Sequence, residues 1–150
     1  MDRIVLASLI ASGMTVWGET MLPLIPAQPI RGFDVFKSLF CLVQVVLLSA
    51  ATFPLLSGMT RYAMGALKSS VHSCFYCYGL RRAPLAEEIS FFERRLGAIP
   101  LLTQLLDLRR DYRDSFRFIA YCIPTMVRLH LRTFIDNPFP RKADSAIQSR

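Results

Sequence analysis

The chain has 150 residues, of which 53% are hydrophobic and only 19% charged, against about 25% charged in an average soluble domain. Its formal charge is +7, from 18 Lys+Arg and 11 Asp+Glu. This length and composition exclude two full domains, intrinsic disorder, a nucleic-acid-binding tail and a disulfide-stapled miniprotein, and an apolar, basic chain points to a membrane before it points to DNA.

The first apolar run covers residues 4–30 and carries a single charge, Glu19. Pro23, Pro26 and Pro29 interrupt its end, so a helix is predicted over residues 4–22, a short membrane span. Glu19 falls within about one turn of the helix end, where a charge is tolerated, and Trp17 suits an interfacial anchor. A cleavable signal peptide is the competing reading of the same residues, because small residues follow Arg3 and an apolar stretch. The linker that follows, with Pro26, Pro29 and Gly32, is turn-like.

Residues 38–60 run for 23 positions without a charge, bracketed by Lys37 and Arg61. A helix of that length rises about 34 Å, enough for a bilayer core. Pro54 is expected to kink it. The two runs predict a transmembrane helical hairpin occupying residues 1–60, with spans at about 4–22 and 38–60. Arg3, Arg61, Lys68, Arg81 and Arg82 outweigh Arg31 and Lys37, which puts both termini on the cytoplasmic or matrix side.

Residues 61–136 read as a helical, membrane-peripheral region. Residues 61–80 continue the second span, with Gly79 as its stop. A short helix is predicted over residues 84–96, opened by Pro84 and closed by Gly97, with Leu85, Ile89, Phe92 and Leu96 on one stripe. Glu87 and Glu88 complement the start of its dipole, and Arg94 and Arg95 its end. Pro100 opens a longer amphipathic helix whose stripe is Leu101, Leu105, Leu108, Tyr112, Phe116 and Ile119. Residues 118–135 are more apolar, and Pro124 is expected to kink them. Arg128, His130 and Arg132 make a third crossing costly, so this segment is read as lying at the interface or against partners. Residues 137–150 form an extended polar tail, expected to be held only by something outside the chain.

Few residues suggest chemistry. His72, Cys74 and Cys77 lie within six positions and form the one candidate metal or redox group. A closed tetrahedral site lacks a clear fourth ligand, with Cys41, Cys122 and His130 as the remaining donors. Two cysteines three residues apart on a helix are otherwise small core fillers. No catalytic, cofactor or metal site is therefore expected. The credible contact residues are basic: Arg61 and Lys68 beside a span, and Arg128 and Arg132 on a strip with Tyr121 and Thr125, placed to meet anionic lipid head groups such as those of cardiolipin.

These features predict an all-α membrane protein, a two-helix hairpin followed by amphipathic extramembrane or interfacial helices. The function expected is that of a non-catalytic accessory subunit of a mitochondrial inner-membrane complex, of the respiratory chain or the ATP synthase. It would support assembly, stability and packing of lipid and subunits. The mitochondrial placement follows from where such subunits are most numerous, not from residues. Its partners would be other subunits and anionic lipid, without nucleic acid or small-molecule substrate. Two alternatives are a transporter or redox component using Glu19 or Cys74 and Cys77, and a membrane-shaping or tethering protein.

Overall fold

The structure, a computed structural model, describes residues 32–78 and 83–137. Those residues are helical throughout, without a strand: α1 (Gly32–Thr52), α2 (Met59–Cys77), α3 (Leu85–Leu96), α4 (Pro100–Arg110) and α5 (Phe116–Asp136). The predicted span at 4–22, with Trp17 and Glu19, and most of the polar tail lie outside the described residues.

The chain reverses after α1. Thr52 closes the helix: its hydroxyl donates to the Leu48 carbonyl at 2.8 Å, and its own carbonyl accepts from the amides of Leu55 and Leu56, both at 2.9 Å. Pro54 has no N–H with which to continue the ladder. Gly58 then takes a left-handed φ of 84° and starts α2. The uninterrupted helix expected at 38–60 is thus two helices, and the expected kink at Pro54 is a full reversal. A side chain in the left-handed region costs about 1–2 kcal/mol. Gly58→Ala is therefore expected to lower stability by that amount; an unchanged urea midpoint would contradict this assignment of the turn.

Helices α1, α2 and α5 pack against one another as a three-helix bundle. The rings of Phe36 and Phe134 stack 4.8 Å apart at one end, and those of Phe53 and Phe116 5.5 Å apart at the other. Thus α1 and α5 are antiparallel along their whole length. Cys122 faces the Ala63 carbonyl, Ser70 meets His130, and Tyr78 meets Asp136. These pairs are separated by 59, 60 and 58 residues, a near-constant offset that makes α2 and α5 parallel. The face α2 buries is rich in small residues, Thr60, Ala63, Ala66, Ser70 and Cys74, which let neighbouring backbones approach closely.

Helices α3 and α4 carry the chain back from the end of α2 to the start of α5. Both follow the predicted stripes: Leu85, Ile89 and Phe92 are buried on α3, and Leu101, Leu105 and Leu108 on α4. Phe75, Tyr78, Phe91 and Phe92 meet edge to face, with centroids 5.1 to 6.1 Å apart, and tie α3 to α2. The long helix predicted from Pro100 is in fact interrupted at 111–115. There Ser115 caps α5, its hydroxyl accepting from the Phe118 amide at 3.2 Å. The Ser115 amide donates to Thr60 Oγ1 at 2.9 Å, and the Gly58 amide to Asp114 Oδ2 at 2.9 Å. The break anchors this loop to the α1–α2 turn.

Candidate functional site

Two surfaces stand out once the helices are placed. The first is the outer face of α1. Residues Asp34–Thr52 are long and apolar enough to cross a membrane, yet only 22% of the most apolar 18-residue stretch is buried. Phe40, Val45, Leu47 and Leu48 are exposed on α1, and the turn beyond it adds Leu55, 82% exposed, and Leu56. Among the described residues this helix is buried at Val35, Ser38, Val46 and Ser49, where it meets the bundle, and its opposite face is uncovered. Among the described residues it is the one helix that meets this length and composition; the other span expected of the hairpin, residues 4–22, falls outside them.

The second surface is a groove of about 440 Å³ between α4 and α5. The α5 wall presents Arg117, Tyr121, Thr125 and Arg128, and the α4 wall presents Ile99, Pro100, Leu101 and Gln104. The spacing 117, 121, 125, 128 places all four side chains on one flank of α5. No carboxylate lines the groove. Arg117 lies 6.0 Å from the centroid of the Tyr121 ring. Arg128 donates from Nη2 to the Leu96 carbonyl at 2.6 Å, which closes the C-terminus of α3.

The four basic residues singled out from the sequence do not converge. Arg128 faces the groove. Arg132, one turn on, pairs with Asp136 at 3.1 Å. Asp136 also holds Arg95 at 3.4 Å and accepts from the Tyr78 hydroxyl at 2.8 Å. Burial and that carboxylate push the Tyr78 hydroxyl up to about 12. Arg61 stacks 4.4 Å over the Tyr112 ring, beside Asp114, whose carboxyl the Tyr112 hydroxyl and Gly58 amide hold below its ordinary value. Lys68 lines a separate cavity of about 370 Å³ with His72, Pro84 and Arg109. Arg117 and Gln104 were missed because the sequence does not reveal which flank of α5 meets the start of α4.

His72, Cys74 and Cys77 do not gather into one site. His72 Nδ1 approaches Glu88 Oε2 at 2.6 Å, close enough for an ion pair but not aligned as a hydrogen bond. Cys74 is buried, and desolvation pushes its thiol well above the ordinary range; Cys77 donates to the Ser73 carbonyl at 3.2 Å. Among the described residues no three His, Cys, Asp or Glu side chains gather as metal ligands. A second histidine, His130, is fully buried between α2 and α5. Its Nδ1 lies 2.8 Å from the Met126 carbonyl, and since a carbonyl only accepts, Nδ1 carries the proton. Burial pulls the His130 imidazole down to about 4. Ser70 Oγ stands 3.3 Å from the same nitrogen, but both residues are sealed from any substrate.

No protein-family model, curated protein or solved structure matches the chain.

Proposed function

We propose that the protein is a non-catalytic accessory subunit of a large membrane complex, placed in the mitochondrial inner membrane with the respiratory chain or the ATP synthase. It stabilises the assembly and packs its subunits and lipid. The observation that carries the reading is the uncovered outer face of α1. In its finer form the reading joins α1 to the apolar run at 4–22 as a membrane-anchored hairpin, with both termini on the matrix side.

The surroundings of α1 support a complex over a free-standing membrane protein. Helix α5 runs beside it over its full length and bears Arg128 and Arg132, while α2 bears Lys68. A charge at the centre of a bilayer costs about 2.5–3.5 kcal/mol on an insertion scale. Within the chain Asp136 meets Arg132 at 3.1 Å and the Leu96 carbonyl meets Arg128 at 2.6 Å; protein neighbours can meet the rest of that cost, and lipid tails cannot. The outer face of α1 is then the side that meets apolar neighbours, and the charged flanks meet subunits.

Cys41 provides the test, because it is exposed on α1 while Cys74 and Cys122 are buried. In native membranes from a Cys77→Ser strain, a membrane-impermeant maleimide is expected to leave Cys41 unlabelled. Detergent that strips lipid and partners should raise labelling at least about tenfold, given the loss of burial. Equal labelling before and after, or migration as a free monomer on a native gel after mild extraction, would overturn the reading.

A further inference from the structure

We infer that the groove between α4 and α5 is a binding site for a phosphate ester. The assignment of that ester as a lipid rests on the membrane-subunit reading; the phosphoryl site does not.

Three features of the groove point the same way. First, its charge is of one sign. Arg117 and Arg128 both line it, and no carboxylate does. Elsewhere Arg95 and Arg132 are engaged by Asp136. Arg128 spends Nη2 on the Leu96 carbonyl, which fixes the side chain and leaves its other guanidinium nitrogens for a ligand. An arginine fork matches two oxygens of a phosphate in a way that a lysine does not.

Second, the neutral polar groups are suited to phosphate oxygens. Tyr121 and Thr125 present hydroxyls between the two arginines. The α4 wall is the start of an 11-residue helix whose N-cap, Ile99, offers no side-chain bond. Pro100 has no N–H and the Leu102 amide is taken by the Ile99 carbonyl at 2.9 Å, so within that first turn the Leu101 amide carries the partial positive charge of the helix end towards the groove.

Third, the shape asks for more than a bare ion. Arg117 and Arg128 are eleven residues apart, about 16 Å of helix rise, and the groove holds about 440 Å³, within the usual range for small-ligand sites. Ile99 and Leu101 give its α4 wall an apolar floor. A phosphate attached to a carbon chain fills both halves; inorganic phosphate fills one.

The test uses the full chain purified in a neutral detergent. Ligand adducts are counted by native mass spectrometry with dihexanoyl phosphatidylglycerol, glycerol phosphate or inorganic phosphate as probe. The parent is expected to bind phosphatidylglycerol. Arg117→Gln should weaken binding about tenfold, the typical value of one charge-assisted hydrogen bond, and Thr125→Glu should abolish it by placing a carboxylate in the groove. Arg132→Gln, outside the groove, should leave it unchanged. Circular dichroism is to check that each variant is folded, and Arg117 is exposed, so its truncation opens no core cavity. Binding of glycerol phosphate with the same sensitivity to Arg117→Gln supports the site and assigns a soluble ester in place of lipid. Absence of all three adducts, or equal binding by parent, Arg117→Gln and Thr125→Glu, overturns it. Because lipid is added to the isolated chain, failure of the complex-subunit reading leaves this measurement intact.

Discussion

His72→Ala is expected to destabilise the fold by about 1–3 kcal/mol, the range for leaving a buried polar group without its partner. The reason is asymmetry. Glu88 is fully buried, while the His72 side chain keeps 19% of its surface in solvent. Deleting the histidine strands a carboxyl group that cannot reach water, whose other oxygen accepts from the Ala83 amide at 3.4 Å. The double substitution His72→Ala with Glu88→Met replaces the stranded carboxyl group by an apolar side chain of similar volume. It should recover most of the loss, since well-packed apolar replacements of buried pairs are commonly neutral or better. Urea unfolding of the two variants decides the matter. A double variant no more stable than His72→Ala would show that the contact contributes through packing alone.

Stability should also fall in acid through one residue. His130 is held neutral in the folded chain down to about pH 4, against 6.5 for an exposed imidazole. Between those values the unfolded chain binds a proton that the folded chain refuses, so the unfolded state gains as pH drops. The contribution of His130 is complete above pH 6.5 and is lost as pH falls towards 4. A displacement of this size corresponds to about 3 kcal/mol. His130→Leu, which does not titrate, should lose correspondingly less between pH 7.5 and pH 4.5. Parallel losses in parent and variant, measured by urea unfolding at the two pH values, would exclude His130 as the source.

The helical class was readable from composition and period, and α3 most fully. Its punctuation by Pro84 and Gly97 and its stripe of Leu85, Ile89 and Phe92 are local properties. What escaped was whatever depends on a distant partner. The reversal after Thr52 reads as a kink when Pro54 is considered alone. The break at 111–115 is invisible to a stripe that stays in phase across it, because its causes, Gly58 and Thr60, lie more than fifty residues away. Glu88 looks like a dipole-complementing first-turn acid until His72 is found beside it. The candidate groove was half legible: Tyr121, Thr125 and Arg128 share a flank by spacing, but their opposite wall is set by how α4 crosses α5. Arg132 shared the same strip and turned instead to Asp136.

The parallel register of α2 and α5 carries a consequence for how the chain acquires its shape. Parallel neighbours cannot be joined by a tight turn, so α5 docks only after α3 and α4 have traversed the length of the bundle. Contacts nearly sixty residues apart are slow to close compared with the short reversal between α1 and α2. As the chain leaves the ribosome, the α1–α2 pair is complete while the groove in which Phe118, Cys122, Met126 and Leu129 will sit is still open. During that interval the nascent protein exposes apolar surface on both sides of α1, one side awaiting α5 and the other still uncovered among the described residues. A chain of this design is most open to aggregation before α5 has docked.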